Sequence, residues 1–168
     1  MSKNKNYKIW LIGAGNMALD YSKVLNALDV NYDVIGRSKK SSEIFFKNTG
    51  KKTFKGGLFK YLETKPSLCN SAIVAVNIDQ LFNTTKNLLN YGVKNILVEK
   101  PGGLNFFELK DLSDTASSLN ANIYIAYNRR FYASVSKLKE IIENGCGVQS
   151  FNFEFTEWSH TIESAAYN

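Results

Sequence analysis

Short apolar segments that favour β-structure alternate with helical segments along most of the sequence. The first, Tyr7–Ile12, runs directly into Gly13, and a helical stretch over about 16–28 leads to a second strand at Asn31–Ile35. The first segment lacks the polar alternation of a strand with one wet face, so we predict a strand buried on both faces of a parallel sheet. The unit is therefore a βαβ unit, and a chain built on it needs helices on both sides of its sheet.

The same pattern repeats further along the chain. Buried strands are predicted at Ser71–Val76, Lys94–Val98 and Asn122–Tyr127. The predicted helices are a short one capped by Ser41 or Ser42 and reaching Phe46, one over Leu81–Leu89, one capped by Asn105 with Glu108, and one over Phe131–Ile142 that stops at Gly145–Gly147. The segment Lys51–Leu62 has no clean period and carries no prediction. Together these elements predict an α/β fold with a doubly wound parallel sheet.

The pattern changes after residue 147. From Val148 to Trp158, Phe151, Phe153 and Phe155 alternate with polar residues, which is typical of a strand with one buried face. Only ten residues follow this segment. We therefore expect a complete domain at 1–128, and at 129–168 a connecting helix and the incomplete start of a second domain.

Composition narrows the function classes. The net charge is +6, but residues 1–65 carry +8 and residues 66–168 carry −2, mostly through scattered lysines with three arginines in total, which argues against a nucleic-acid partner. No apolar run is long enough to span a bilayer or to form a signal segment, so we expect no membrane partner and a cytoplasmic protein. Cys69 and Cys146 are too far apart for a metal or redox pair, and we predict two reduced, packed thiols and no metal site.

The segment Gly13-Ala14-Gly15-Asn16-Met17-Ala18 has the pattern G-x-G-x-x-A between a buried strand and a helix. Gly13 suits the tight turn, Gly15 allows close approach of a pyrophosphate, and Ala18 allows close packing of the helix on the sheet. The amides and dipole at the helix N-terminus favour an anion. The pattern predicts dinucleotide binding through these residues; the alternative is an ordinary glycine-rich turn.

The end of the second strand discriminates between the two nicotinamide dinucleotides. NAD sites usually carry a carboxylate there, whereas the 2′-phosphate of NADP needs a cation. This chain has Gly36-Arg37-Ser38-Lys39-Lys40 at that place. Arg37 can make a bidentate contact with the phosphate and Ser38 can donate a hydrogen bond, so NADP(H) is favoured and NAD(H) stays possible. The alternative is a solvated basic turn.

Glu99-Lys100-Pro101 follows the strand at Lys94–Val98, at the carboxyl edge where open α/β sheets bind ligands. Pro101 restricts Lys100 to an extended backbone, which helps to fix the direction of its ammonium group. Such a lysine can orient a substrate hydroxyl or exchange its proton during hydride transfer. A strand-ending turn with surface charges is the alternative.

These motifs, with Tyr127-Asn128-Arg129-Arg130-Phe131, occur in the same order as in the Gfo/Idh/MocA family of oxidoreductases, which the sequence resembles over nearly its whole length. The resemblance implies an N-terminal Rossmann domain that binds NAD(P) and a C-terminal α/β domain with an open antiparallel sheet. It implies hydride transfer to or from a hydroxyl-bearing carbon, commonly on a sugar or cyclitol.

The resemblance also implies roles for single residues. It assigns Lys100 to the substrate hydroxyl, and it puts Glu99 and Pro101 beside the nicotinamide. Asn77 falls where the family often has Thr-Pro-Asn near the cofactor, although the proline is missing here. Asn128, Arg129 and Arg130 would approach substrate or cofactor phosphate, or else cap a strand-to-helix junction at the surface.

Family members run to roughly twice this length, and their second domain supplies a histidine for proton transfer. The only histidine of this sequence, His160, comes too early to match it. We expect an oxidoreductase acting on a sugar, polyol or nucleotide sugar, and a homo-oligomer through the second-domain sheet if that domain is complete. The alternative is a dinucleotide-binding module without turnover, or a truncated remnant.

Overall fold

The computed structural model describes residues 7–152 and residue 154. The strands are β1 (Lys8–Ile12), β2 (Asn31–Gly36), β3 (Thr53–Lys55), β4 (Ser71–Val74), β5 (Asn95–Val98) and β6 (Asn122–Ile125). The helices are α1 (Asn16–Ala27), α2 (Lys39–Thr49), α3 (Gly57–Glu63), α4 (Leu81–Tyr91), α5 (Phe106–Ser118) and α6 (Ala133–Asn144). Short 3₁₀ turns lie at Ile78–Gln80 and Asn128–Phe131.

The chain divides into two compact units, Met1–Tyr127 and Asn128–Asn168. The first unit contains one six-stranded sheet in the order β3-β2-β1-β4-β5-β6, and all neighbouring strands are parallel. The order runs outward from β1 to β3 and then continues on the other side of β1 with β4. This is the order of a Rossmann fold, and it confirms the predicted doubly wound α/β class.

Helices cover both faces of this sheet. One buried cluster joins α1 and α2 to one face and contains Ile9, Leu11, Ala14, Ala18, Leu25, Tyr32, Val34, Phe45, Ile73 and Ala75. A second cluster joins α3, α4 and α5 to the other face and includes Trp10, Ile12, Leu58, Tyr61, Val74, Leu88, Ile96 and Leu112. Because Trp10 and Leu11 are both fully buried but lie in different clusters, β1 is buried on both faces, as its apolar sequence predicts.

The second helix differs from its prediction at both ends. Its N-cap is Ser38, whose Oγ accepts a hydrogen bond from the Ser41 amide at 3.1 Å. It ends at Gly50, which has a left-handed backbone (φ 68°) and donates its amide to the Phe46 carbonyl at 2.7 Å. The predicted start at Ser41 or Ser42 and the predicted end at Phe46 are wrong, because Ser38 already supplies the cap and the next residue that permits a left-handed stop is Gly50.

The segment without a prediction, Lys51–Leu62, forms β3 and most of α3. The strand is three residues long, pairs with Val34–Gly36 of β2 and forms one edge of the sheet. Two glycines with positive φ, Gly56 (108°) and Gly57 (83°), connect it to the helix. Such short elements leave too few residues for a period to be recognised in the sequence.

The predicted cap of the fifth helix is confirmed. Asn105 Oδ1 accepts the Glu108 amide at 3.0 Å, and Glu108 Oε2 in turn accepts the Leu104 amide at 2.7 Å. This reciprocal arrangement fixes the start of α5 directly after the turn that follows β5.

The second unit contains the 3₁₀ turn at Asn128–Phe131 and α6, which confirms the predicted helix and its end before Gly145. The predicted start at Phe131 is wrong, because Phe131 belongs to the 3₁₀ turn and α6 begins at Ala133. Residues 148–152 form no regular structure, in contrast to the predicted strand. A strand needs a partner, and in the described residues none pairs with this segment. Phe153, Phe155, Trp158 and His160 lie outside the described residues, so the second-domain prediction stays a prediction. Of the helices in the described ranges, none has both the length and the apolar character to cross a membrane.

The two cysteines differ in environment. Cys69 is buried, and burial raises the pKa of its thiol to about 12, whereas Cys146 is exposed in the turn after α6. The prediction of a packed thiol is confirmed for Cys69. It is wrong for Cys146, because the glycines on both sides of it form an exposed turn after the helix end.

Candidate functional site

A groove of about 310 Å³ lies at the carboxyl ends of β1, β2 and β4. Its lining consists of Ile12, Gly13, Ala14, Gly15, Ile35, Arg37, Ser38, Ser41, Gly57, Leu58, Ala75, Val76, Asn77, Gln80 and Thr84. The sheet order reverses between β1 and β4, and the crevice outside the carboxyl ends of the strands at such a point is the usual ligand site of open α/β sheets. The volume falls in the range of small-molecule sites.

Gly13 forms the floor of the groove, and the fold requires a glycine there. Its φ is +124°, and its amide donates to the Ile35 carbonyl at 2.9 Å. A Cβ on this residue would lie 2.1 Å from the backbone oxygen of Ala75. No side chain fits at this position unless β1 and β4 move apart, so the first glycine of the motif serves the packing of the sheet.

Gly15 is different, because no steric contact with the described residues excludes a side chain at this position. Its φ of −90° and ψ of −169° are open to any residue, and a Cβ would meet no atom within 4 Å. It is the N-cap of α1 and makes no side-chain cap, and the first turn of that helix holds no acidic residue. The groove therefore offers free space beside a helix N-terminus, where unpaired amides and the helix dipole attract an anion such as a pyrophosphate.

The other residues of the motif lie beside the groove. Ala18 is fully buried in the cluster between α1 and the sheet, as its proposed packing role requires. Asn16 and Met17 occupy the first turn of α1, have exposed side chains and do not line the groove. Their contribution to a bound anion would come from backbone amides.

The carboxyl end of β2 supplies the basic side of the groove. Arg37 and Ser38 both line it, and none of its lining residues is a carboxylate. Gly36 does not line it: a Cβ there would lie 2.8 Å from both Ser42 Oγ and Thr53 Cγ2, so this glycine serves the packing of α2 and β3. The Ser38 hydroxyl caps α2 and lies 2.7 Å from Ser41 Oγ, an engagement that the sequence reasoning missed.

Asn77 lines the groove on the β4 side. It precedes the 3₁₀ turn, where its carbonyl accepts the Gln80 amide at 2.9 Å, so the missing proline does not remove the residue from the groove. Sequence reasoning missed Ser41, Gly57, Leu58, Gln80 and Thr84. The neighbouring glycines Gly56 and Gly57 were the only local signal of a turn on that side.

The turn after β5 carries Glu99, Lys100 and Pro101 but does not line the groove. The Glu99 amide donates to the Val74 carbonyl at 2.9 Å, the Gly102 amide donates to the Glu99 carbonyl at 2.9 Å, and the Lys100–Pro101 peptide bond is cis. Lys100 is exposed, and within residues 7–152 and 154 its ammonium group has no hydrogen bond or ion pair. The turn therefore presents a free ammonium group at the carboxyl edge of the sheet.

Glu99 has a partner that the sequence does not reveal. The Tyr21 hydroxyl of α1 donates to Glu99 Oε1 at 2.6 Å, across 78 positions of the chain. Burial, and then the hydrogen bond to Glu99 and its negative charge, raise the pKa of the Tyr21 phenol well above its ordinary value. Tyr21 is therefore a neutral donor at any physiological pH.

Asn128, Arg129 and Arg130 belong to the second unit, where they form the exposed 3₁₀ turn. The Arg130 guanidinium lies 4.8 Å from the centroid of the Phe131 ring. Their predicted approach to substrate or phosphate stays a prediction. In the described part of the chain, no group of three or more His, Cys, Asp or Glu side chains could hold a metal ion.

The strand order, the glycine turn and the groove at the switch point define the class: a Rossmann-fold, nucleotide-binding α/β protein. Residues 7–127 match the GFO_IDH_MocA model, described as an oxidoreductase family with an NAD-binding Rossmann fold. The chain belongs to this family, which confirms the resemblance stated from its motifs.

Solved structures agree with the fold at low sequence identity. The WlbA dehydrogenase from Chromobacterium violaceum, in complex with NADH and UDP-GlcNAcA, matches with a TM-score of 0.72 and 13% identity over 84% of this chain and 41% of its own. GenD2 from gentamicin A biosynthesis, in complex with NAD, has a TM-score of 0.72 and 18% identity over 86% of this chain and 41% of its own.

A third match is KijD10, a 3-ketoreductase from Actinomadura kijaniata. A mutant of it in complex with TDP-benzene and NADP has a TM-score of 0.69 and 15% identity over 86% of this chain and 44% of its own. The chain thus spans about two fifths of the length of these solved chains. No curated protein matches the sequence significantly.

Proposed function

We propose that this protein is an NADP-dependent oxidoreductase that transfers a hydride between the nicotinamide and a hydroxyl-bearing carbon of a sugar, cyclitol or nucleotide sugar. The observation that carries the proposal is the groove: in the described residues no atom lies within 4 Å of a Cβ placed on Gly15, and no lining residue at the basic end is a carboxylate. Membership of an NAD-binding oxidoreductase family supports the coarser part of the proposal, which is an oxidoreductase with a nicotinamide dinucleotide.

The residues of the groove fit a dinucleotide in one direction. The amides at the start of α1 would hold the pyrophosphate, with Gly15 allowing the backbone to approach it. Arg37 and Ser38, at the end of β2, would hold the adenosine side. The nicotinamide half of the dinucleotide would then extend past β4 and Asn77 toward β5, because β4 and β5 follow β1 in the sheet.

The preference for NADP rests on charge. A carboxylate at the end of β2 would accept the ribose hydroxyls of NAD and repel a 2′-phosphate. This groove instead has Arg37, and Lys39 and Lys40 follow in the first turn of α2, whose N-terminus adds a favourable dipole. NAD stays the alternative, since the solved relatives bind either cofactor.

Lys100 is the proposed catalytic residue. The cofactor, when bound, supplies or accepts the hydride, and the protein must provide for the proton of the substrate hydroxyl. An exposed ammonium group without a partner in the described residues can donate a hydrogen bond to that hydroxyl and exchange its proton. The hydrogen bonds on both sides of Glu99 fix the backbone from which Lys100 extends.

The substrate class rests on the relatives alone. The WlbA structure contains UDP-GlcNAcA, a nucleotide sugar, and the structure of the 3-ketoreductase KijD10 contains TDP-benzene, which carries the nucleotide part of such a substrate. A dinucleotide-binding module without turnover is the second candidate, and it is distinguished by the behaviour of Lys100→Ala described below.

The test of the cofactor assignment compares Arg37→Ala with Lys47→Ala. Both remove one positive charge, but Lys47 lies in the last turn of α2 and does not line the groove. We expect Arg37→Ala to weaken NADPH binding roughly 10- to 100-fold, the value of a charge-assisted contact, and to leave NADH binding nearly unchanged. Lys47→Ala should change neither affinity. Equal losses for both cofactors in Arg37→Ala, or tighter binding of NADH than of NADPH by the unmodified protein, would contradict the 2′-phosphate assignment.

A further inference from the structure

The hydrogen bond between Tyr21 and Glu99 joins the helix that follows the glycine turn to the turn that carries Lys100. Both side chains are half-buried, and the 2.6 Å distance is that of a charge-assisted hydrogen bond from a hydroxyl to a carboxylate oxygen. The contact therefore links α1 to the turn after β5, two elements that lie far apart in the sequence.

The backbone of Glu99 has little freedom, because its amide donates to Val74 and its carbonyl accepts from Gly102. The direction of its carboxylate is then set by the side-chain torsions, and Tyr21 is the hydrogen-bond donor that the structure gives it. Without that donor a half-buried carboxylate would turn toward water to satisfy its oxygens.

The order of the strands along the groove indicates which half of a bound dinucleotide would lie near the Glu99 carboxylate. Arg37 marks the adenosine end at β2, and the sheet continues from there through β1 and β4 to β5. Since neighbouring strands are about 4.8 Å apart, the carboxyl end of β5 is one strand beyond the last strand that lines the groove. Glu99 is thus at the end of the path toward which the nicotinamide half of a dinucleotide extends.

We propose that Tyr21 is a positioning residue, which holds the Glu99 carboxylate toward the nicotinamide end of the groove so that the protein binds the oxidised cofactor more tightly than it otherwise would. The proposal rests on the proposed function. Its physical basis is that the oxidised nicotinamide ring is positively charged and the reduced ring is neutral, so a fixed carboxylate attracts only the oxidised form. Rotation of the carboxylate into solvent weakens this attraction.

The experiment measures the dissociation constants of NADP⁺ and NADPH for the unmodified protein, Tyr21→Phe, Glu99→Gln and the double variant. We expect Tyr21→Phe to shift the ratio of the two constants against NADP⁺ by roughly three- to tenfold, the value of one hydrogen bond. Glu99→Gln should shift it at least as far, because it removes the charge itself. In the Glu99→Gln background, Tyr21→Phe should cause no further shift.

Tyr32→Phe is the matched control. It also removes a buried hydroxyl next to α1, where Tyr32 bonds Ser22 and Asn26, but it leaves Glu99 untouched. If Tyr21 has a purely structural role, Tyr21→Phe loosens α1 and lowers the affinities for NADP⁺ and NADPH by the same factor. That result would overturn the proposal. An unchanged ratio in Glu99→Gln would overturn it as well, even if Tyr21→Phe fails to fold.

The outcomes separate this inference from the function on which it rests. If the unmodified protein binds neither NADP⁺ nor NADPH, the proposed function is wrong, and the inference falls with it. If it binds both and the ratio does not move in the variants, the inference alone is wrong.

Discussion

The turn after β1 and the turn after β5 lie at the same edge of the sheet, and each combines a residue that the fold requires with one that it does not. In the first turn, a Cβ on Gly13 would meet the Ala75 backbone, whereas a Cβ on Gly15 would meet nothing. In the second, a Cβ on Gly102 would lie 2.6 Å from Ile125 Cδ1, whereas Lys100 is exposed. The position without a packing role is thus an absent side chain in the first turn and a charged side chain in the second. These are the features that the proposed anion site and the proposed proton donor respectively need.

Measurements of unfolding free energy and cofactor affinity on four variants test this difference between the two turns. Gly13→Ala should have the largest effect, a loss of roughly 3–5 kcal/mol, because its Cβ would collide with backbone that cannot move alone and its φ is unfavourable for alanine. Chemical denaturation measures it. Gly50→Ala is the control, since Gly50 also has a positive φ but open space around it, and it should lose only about 1 kcal/mol. Equal losses would show that the contact with Ala75 has no role.

Gly102→Ala should come second. Its φ is +92°, and the nearest atom to a Cβ is the end of the Ile125 side chain, which can rotate away. We therefore expect a loss of about 1–3 kcal/mol in the same denaturation experiment. A loss as large as that of Gly13→Ala would mean that the second turn is packed as rigidly as the first.

Gly15→Ala should change the unfolding free energy by about 1 kcal/mol or less. Alanine fits the backbone angles and the open surroundings, and the lower entropy of its unfolded chain offsets its poorer N-cap preference. The substitution should nevertheless weaken NADPH binding by roughly tenfold or more, since the new methyl group keeps the phosphates away from the helix amides. Calorimetric titration provides the affinity. If the variant binds as tightly as the unmodified protein, the open space beside Gly15 is not where the pyrophosphate binds.

Lys100→Ala should have the smallest effect on stability, within about 0.5 kcal/mol, as expected for an exposed side chain. NADPH affinity should also stay nearly unchanged, while turnover should fall roughly 10²- to 10⁴-fold, the usual contribution of a proton-transfer group. NADPH absorbance with a panel of sugars, cyclitols and nucleotide sugars follows the reaction. If the unmodified protein binds NADPH but turns over nothing, the module without catalysis is favoured.

The sequence predicts the strands of the sheet's centre well, because β1 and β4 are buried on both faces and leave continuous apolar runs such as residues 72–74. It also predicts Gly13, Gly15, Arg37 and Ser38 at one groove, since each follows a strand in a parallel sheet and therefore reaches the same edge. Asn77, which also lines the groove, was assigned to the cofactor by the family resemblance.

What the sequence cannot give is the contact across distant elements. The Tyr21–Glu99 hydrogen bond depends on how α1 packs against the sheet, and no local pattern of either residue encodes that. Short elements fail for a related reason: β3 has three residues, and its pairing with β2 is decided by the sheet and not by its own period.

Part of the positive charge in the first half of the chain lies at the edge strand β3. Its three residues expose few unpaired backbone groups. Lys55, in the strand, and Lys52, just before it, are exposed. The Lys51 ammonium lies 3.5 Å from the centroid of the Tyr32 ring. A second strand that approached this edge would gain few hydrogen bonds and would have to desolvate lysines. The positive charge thus protects the sheet from growing by aggregation on this side, a role that needs no partner at all.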